Sequence, residues 1–527
     1  MNLPSEPSRE LVSAMLDPGF YPQRPERVQL RETHASWVFL TDDLAYKVKK
    51  PIVLPFLDYG SVERRHEMCR EEVRLNRRLA PTYYLGVDSI VAGPGGLRLI
   101  PADQPGAVEY AVRMRRIPEE LTIESLAAQG ALTEARVDAV AERLARFHLA
   151  ADHAPPEART PARLLGPFEE NHETLNDVGP PVLAGPRLRA AERFTAAFLA
   201  ARREQIATRA EAGLVRDCHG DLRAEHVIVD GDVVVYDCIE FNLSLRLIDV
   251  GADLAFLIMD LARLGQGARA SRLVAAYREA GADPGDDALL HFYASYRAWV
   301  RAKVACLRAA ELQPGDPGRD RAEGEARALL ALGHRLAWRA RLPLVIAVCG
   351  VAASGKTALA SSLGTITGLP HLNSDVIRKR LAGLTPTQRA RPEHYTAEFT
   401  LRTYVELGRL ARWEVASGGG AVVDATFHRA AERRAFATGL GAPTTPVLFA
   451  ECRAPERVLR ERASARAGGR QSVSDADASI VERQLRDWEP HDRVGADRVT
   501  IRTDRSIEEE IVEVEEFANR RLSHATA

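Results

Sequence analysis

Eight residues, Gly350-x-x-x-x-Gly355-Lys356-Thr357, have the types and spacing to cradle phosphate. Glycines let the backbone curl until successive N–H groups face phosphate oxygens, the lysine reaches the β/γ-phosphates, and the threonine hydroxyl ligates Mg²⁺. Ser354 lies inside the same turn. Lysine is scarce in this chain, at six positions only (47, 49, 50, 303, 356 and 379), so one inside this pattern carries weight. A second cluster is His219-Gly220-Asp221-Leu222, then His226, then Asp237. An aspartate on a loop, a metal-capable side chain five residues on and a further carboxylate after a short hairpin supply the base and two metal ligands that phosphoryl transfer needs. Asp221 is the candidate base, His226 and Asp237 the candidate metal ligands, and His219 the brace of the loop.

Other candidates cluster downstream of the glycine-rich turn. Asp375, in Asn373-Ser374-Asp375, falls where a second strand should end beside the phosphates, so it can take the proton of an attacking hydroxyl; the alternative is a helix N-cap. Arg378 and Lys379 follow within one helical turn. Ala421-Val422-Val423-Asp424 reads as a buried strand ending in a carboxylate suited to Mg²⁺ or its water. Arg457, Arg462, Arg466 and Arg470 precede Ser474-Asp475-Ala476 and can close over ATP, Arg462 and Arg466 being the chosen pair; a solvated arginine face is the alternative.

These residues need a scaffold. Val345–Cys349 is a short apolar strand leading into the glycine-rich turn, followed by a helix ending near Gly364. Apolar runs at Ala421–Val423, Pro446–Ala450 and Val499–Ile501 alternate with helix-like stretches, the rhythm of a parallel sheet. A last helix starts at Ser506, with Glu509 completing a capping box. Upstream, Ser36–Thr41 and Leu44–Val48 form a hairpin, Val62–Leu79 a charged helix, and Val227–Val229 with Val233–Tyr236 a second hairpin. Gln313–Gly324, rich in Gly, Pro and charge, reads as an exposed loop. Phe292, Tyr296, Trp299 and Lys303 recur at helical spacing and pack a core or wall a cleft, core being the preferred reading.

The C-terminal segment resembles the P-loop small-molecule kinases, the gluconate-kinase, zeta-toxin and polynucleotide-kinase relatives, through the 350–357 motif, Asn-Ser-Asp-x-x-Arg-Lys and Val-Val-Asp-Ala-Thr-Phe at 422–427. The resemblance implies a mononucleotide-kinase-like sheet with an arginine lid. Residues 25–335 resemble the aminoglycoside phosphotransferase or choline-kinase-like branch of the kinase fold, through His219–His226, Tyr236-Asp237-Cys238-Ile239-Glu240 and Asp253-Leu254-Ala255. Histidine stands at 226 where that family has asparagine, and no Gly-x-Gly-x-x-Gly precedes the small-lobe strand. Leu44-Ala45-Tyr46-Lys47 resembles the kinase strand whose lysine pairs the α/β-phosphates and a helix glutamate. That implies Lys47 with Glu72; Glu71 and Lys49 are the near alternatives.

The 527 residues, 71 Lys+Arg against 73 Asp+Glu, and 46% apolar residues fit a folded multidomain chain with no net positive field for nucleic acid. No secretory pattern or membrane span is visible, so the expected location is the cytoplasm. Six scattered cysteines fit neither a zinc site nor a disulfide framework. The expected architecture is multidomain, α+β then α/β: a bilobal protein-kinase-like module (small lobe 1–120, large lobe 121–338) followed by a P-loop NTPase domain with a parallel sheet at 339–527. The expected function is an ATP- and Mg²⁺-dependent phosphotransferase with two modules acting on small-molecule hydroxyls. The alternatives are an N-terminal module that is a catalytically weak ATP-binding regulator and, as an outsider, a polynucleotide-end kinase.

Overall fold

The computed structural model describes residues 6–54, 57–178, 185–385, 388–441, 445–467, 478–489 and 497–522. The chain divides into two compact units: Met1–Pro167 with Glu204–Asp286 and Glu311–Pro314, and Phe168–Arg203 with Asp287–Ala310 and Gly315–Ala527.

In the first unit a six-stranded antiparallel sheet runs in the order Gln29–Glu32, Ser36–Leu40, Leu44–Lys49, Glu109–Arg115, Tyr84–Gly93, Gly96–Ile100. Strand alternation sorts its side chains. Phe39, Tyr46, Val48, Ile90 and Ala111 pack with Leu11 and Met15 of the helix Glu6–Met15. Ala45, Tyr84, Val112 and Met114 pack on the opposite face with Cys69 and Val73 of the helix Val62–Asn76. Lys47 and Lys49 share the parity of Ala45 and therefore face that helix. Ser61 starts it, its hydroxyl accepting from the Arg64 N–H. The rest of this unit is mainly helical; its central helix, Val250–Arg263, is apolar around most of its circumference and buried from Val250 to Leu261. Two short antiparallel pairs, Val227–Asp230 with Asp232–Val235 and Val215–Asp217 with Leu247–Asp249, flank the 218–226 loop.

The second unit contains a five-stranded parallel sheet in the order His371–Asn373, Gly420–Asp424, Leu344–Cys349, Val447–Arg453, Asp497–Arg502. Its central strand is buried at every position, as a strand covered on both faces must be. The helices Lys356–Thr367 and Ile507–Leu522 cover one face, and Ala397–Gly418 with Ala430–Leu440 the other. The Ser506 and Glu509 side chains cap the last helix reciprocally. The helix after the glycine-rich turn runs past Gly364 to Thr367 and stops at Gly368, whose φ of 71° closes it.

The expected loop at Gln313–Gly324 is instead mostly helix, Pro317–Arg339. Asp316 accepts from the Gly318 N–H, Pro317 occupies the first helical turn where a missing N–H is harmless, and Ala322, Ala326 and Leu329 bury one face. Phe292 and Trp299 are fully buried, and Phe292 stacks on Phe198 with ring centroids 4.2 Å apart, which makes them core. All six cysteines are free and buried. Among the described residues no helix is long and apolar enough to cross a membrane.

Candidate phosphoryl-transfer sites

In the first unit, Glu72 sits fully buried between two lysines, its Oε1 2.9 Å from Lys47 Nζ and its Oε2 2.7 Å from Lys49 Nζ. Burial raises its carboxyl, yet the two ammonium groups outweigh this and hold it below the usual range. Glu71 faces elsewhere and pairs with Arg74 and Arg246. Lys49 also meets Glu240, which accepts from the Tyr59 hydroxyl, so this lysine is enclosed by a buried polar network. Lys47 keeps partial exposure and reaches Asp237 Oδ1 at 2.7 Å. Asp237 has φ 64°, a left-handed conformation that a non-glycine residue adopts only under constraint from its surroundings. Its carboxyl is raised by burial and lowered more strongly by Lys47 and His226, for a net displacement well below the ordinary value.

His226 links the two aspartates of the cluster. Its Nδ1 lies 2.9 Å from the Asp221 backbone oxygen and 3.5 Å from Asp221 Oδ2, while its Nε2 lies 3.7 Å from Asp237 Oδ2. The loop itself hangs on Asp253, which is fully buried: Oδ2 accepts from the His219 N–H at 3.0 Å, Oδ1 from the Gly220 N–H at 2.8 Å, and His148 Nε2 is 3.0 Å from Oδ2. His219 Nε2 lies 3.0 Å from the Tyr236 carbonyl and its Nδ1 accepts from the Asp221 N–H. Burial pushes its pKa down to about 4, so at neutral pH it is an uncharged brace. The motif pointed to Asp253; nothing in the sequence marked His148, a lone histidine in the helix Glu134–Ala150.

In the second unit, Gly350 (φ 139°), Ala353 (φ 66°) and Gly355 (φ 92°) bend the turn that joins the central strand to its helix. A Cβ on Gly350 would sit 2.6 Å from the Cys452 backbone oxygen and 2.7 Å from Ser354 Oγ. Gly350→Ala is therefore expected to destabilise this unit by about 1–3 kcal/mol, read as a lowered thermal transition. Ser354 Oγ is buried without a hydrogen-bond partner, an orphaned polar atom inside a curl of backbone, which fits a turn built around a polar ligand. Lys356 opens the helix and exerts its charge on both Asp375 and Asp424.

The end of the Gly420–Asp424 strand is registered with Asn373 on one side and Val348 on the other. Asp424, 1% exposed, is raised by burial but lowered more by His371, Lys356 and the neighbouring Thr357 hydroxyl. Asn373 Nδ2 donates to its Oδ2 at 2.7 Å. Asn373 also caps the helix, accepting from the N–H groups of Asp375 and Val376. Asp375 is thus not the cap; its carboxyl is pushed up by burial, against the partial offset of Lys356 and Arg378. Arg378 is buried under the Tyr395 ring and donates to the His394 carbonyl.

Arg462 donates to the Thr503 carbonyl at 2.5 Å, and the Thr503 hydroxyl donates to the Ser354 carbonyl at 2.6 Å, so the arginine reaches the turn through Thr503, a residue with no sequence signal. Arg457 pairs with Glu461, a solvated contact. Arg466 lies on the helix Glu456–Ala467, and Arg470 and Ser474–Ala476 fall outside the described residues. Gln484 Oε1 accepts from the Ala352 N–H at 2.7 Å, and Val351–Ala353 pack against Leu459, Ala463 and Val481.

The "Phosphotransferase enzyme family" profile matches residues 60–296 and the "AAA domain" profile residues 345–491. Among curated proteins, the uncharacterized protein Rv2004c of Mycobacterium tuberculosis is 32% identical over 478 residues, 89% of this chain and 92% of that protein. Its Mycobacterium bovis counterpart, Mb2027c, matches to the same extent. Similar solved structures include a choline/ethanolamine kinase family protein from Mesorhizobium loti (14% identity, 63% of this chain, 99% of that one, TM-score 0.38). Another is a gluconokinase from Sinorhizobium meliloti (22% identity, 35% and 97%, TM-score 0.26). The chain belongs to the family of these mycobacterial proteins; it joins a phosphotransferase-family domain and a P-loop kinase-like domain in one polypeptide, and it is a kinase.

Proposed function

We propose that both modules, at 1–338 and 339–527, transfer the γ-phosphoryl of ATP to a hydroxyl of a small molecule such as a sugar, an aminoglycoside-like compound or a nucleoside. In the N-terminal module Lys47, fixed by Glu72, pairs the phosphates; Asp221 takes the hydroxyl proton; His226 and Asp237 offer ligands to a divalent cation. In the C-terminal module the 350–357 turn, with Gly350, Ser354, Gly355 and Lys356, holds the phosphates. Thr357 and Asp424 hold Mg²⁺, and Asp375 takes the proton. A bound Mg²⁺ would neutralise charge on the phosphates. Arg462 acts through Thr503 on the Ser354 carbonyl, and Arg466 supplies further positive charge. The observation that carries this reading is the convergence, in each unit, of two carboxylates on one lysine, one of each pair fully buried: Glu72 with Asp237 on Lys47, Asp424 with Asp375 around Lys356.

The test is transfer of label from [γ-³²P]ATP to a panel of sugars, aminoglycosides, nucleosides and amino alcohols. Two labelled acceptor classes are expected, and ATP hydrolysis with no labelled acceptor counts against the reading. The raised Asp375 carboxyl makes a pH prediction. The base must be ionised, so C-terminal turnover should fall on acidification at a pH above the ordinary aspartate pKa of about 3.9. A pH profile of kcat/KM whose acid limb sits at or below that value would remove Asp375 from the role.

A second reading, that the N-terminal module binds ATP and regulates its neighbour with little turnover, is favoured by the Lys47–Asp237 pair, which engages a metal-ligand oxygen with an ammonium group. It predicts that Asp375→Ala leaves almost no acceptor phosphorylation in the intact chain.

A further inference from the structure

We propose that the His226–Asp237 pair selects a first-row transition cation, with Mn²⁺ preferred over Mg²⁺, as the metal of the N-terminal module. The inference rests on the reading of these two residues as cation ligands. His226 is 6% exposed and follows directly from the Asp221 loop. Its Nδ1 faces two oxygens of Asp221, the backbone carbonyl at 2.9 Å and Oδ2 at 3.5 Å. Both are acceptors, so Nδ1 carries a ring hydrogen, and Nε2 is the nitrogen whose lone pair a cation would take. A hydrogen bond from one ring nitrogen to the backbone is how metal-binding histidines are oriented.

Nε2 in turn faces Asp237 Oδ2 at 3.7 Å and Glu225 Oε1 at 4.0 Å. Lys47 occupies Asp237 Oδ1, and Arg223 pairs with Glu225, which leaves Asp237 Oδ2 as the oxygen opposite the imidazole. The 3.7 Å gap is too long for a hydrogen bond. It is shorter than twice a metal–ligand bond of about 2.1 Å, so one cation can touch both atoms. Asp237 holds this position on a left-handed backbone, φ 64°.

Donor chemistry then decides the ion. Mg²⁺ takes oxygen ligands and gives up its waters reluctantly, whereas affinity for a site containing an imidazole nitrogen rises along the first-row transition series, with Mn²⁺ at its weak end but still ahead of Mg²⁺. One nitrogen and one carboxylate oxygen, with the nitrogen pre-oriented, therefore rank Mn²⁺ above Mg²⁺.

The test uses the full chain without nucleotide: Mn²⁺ binding under Mg²⁺ competition, with electron spin-echo modulation of the bound Mn²⁺ to detect a directly coordinated nitrogen. Wild type should hold Mn²⁺ with ¹⁴N modulation. His226→Asn should lose that modulation and lower the Mn²⁺-over-Mg²⁺ preference about tenfold or more. Absence of ¹⁴N modulation in wild type, undiminished modulation in His226→Asn, or an equal metal preference in the two proteins overturns the proposal. The wild-type spectrum keeps the test decisive if the variant folds poorly. Nitrogen-coupled Mn²⁺ in a chain with no N-terminal phosphoryl transfer supports the metal assignment and sinks the kinase reading of that module. Transfer supported equally by both ions, without nitrogen coupling, does the reverse.

Discussion

Asp221→Ala is expected to lower acceptor phosphorylation by the N-terminal module about 10²–10⁴-fold, the range for loss of a positioned general base, while leaving C-terminal turnover within twofold or so. Asp375→Ala should give the mirror image. The reason for independence is structural: Asp221 lies on the loop hung from Asp253 in one compact unit, and Asp375 in the first turn of the helix Ser374–Leu381 in the other. Substrate binding should change less than rate, because neither carboxylate belongs to the groups assigned to the phosphates; kcat falls and KM stays near wild type. Assays of the two single variants and the double variant check this. Equal loss of both activities in either single variant would mean that one catalytic centre serves the whole chain.

Asp253→Ala carries the largest expected effect on stability. Its carboxylate accepts from two backbone N–H groups and meets His148, all buried, and burial alone would push it up. It is nevertheless held well below the ordinary range, chiefly by His148. Removing it leaves the His219 and Gly220 N–H groups and His148 Nε2 without their acceptor, at an expected loss of about 3–5 kcal/mol. Because two units unfold in one chain, the quantity to follow is the first unit's own calorimetric transition. The sign with pH follows from the lowered carboxyl: the contribution is complete above the unfolded aspartate value of about 3.9 and drains as pH falls below it. An unchanged transition in Asp253→Ala would show that the loop is held by other contacts.

Local patterns in the sequence located most of what is contiguous. The 350–357 turn, the strand ending at Asp424, the two hairpins and the Ser506 cap are each set by residues within a few positions of one another, where backbone conformation and alternation act directly. The resemblance points to Glu72 with Glu71 as the near alternative, and the tertiary structure decides between them. Both glutamates occupy adjacent helix positions, and only the sheet packed beneath decides which one turns inward. Lys49, two residues on, meets the other oxygen of the same glutamate, a shared arrangement that alternation allows but does not select. His148, Thr503 and Gln484 were invisible because their partners are remote in the chain: Asp253, Ser354 and Ala352 respectively. The Gln313–Gly324 segment misled because Pro and Gly composition signals a turn, while a capping aspartate directly before a proline begins a helix.

The strained residues point the same way as the charges. Among the described residues only four non-glycine positions have positive φ: Arg24, Asp237, Ala353 and Phe427. Asp237 bears the carboxylate beside Lys47, Ala353 lies within the phosphate turn, and Phe427 follows three residues after Asp424. Such conformations persist where surrounding contacts over-determine them, and they gather at sites that must hold a ligand geometry.

Counting nucleotide sites tests the central claim most directly. Calorimetric titration of the intact chain with a non-hydrolysable ATP analogue and divalent cation should give two sites per polypeptide, falling to one in Lys356→Ala and to one, the other, in Lys47→Ala. A single site in wild type, abolished by either substitution alone, would contradict it.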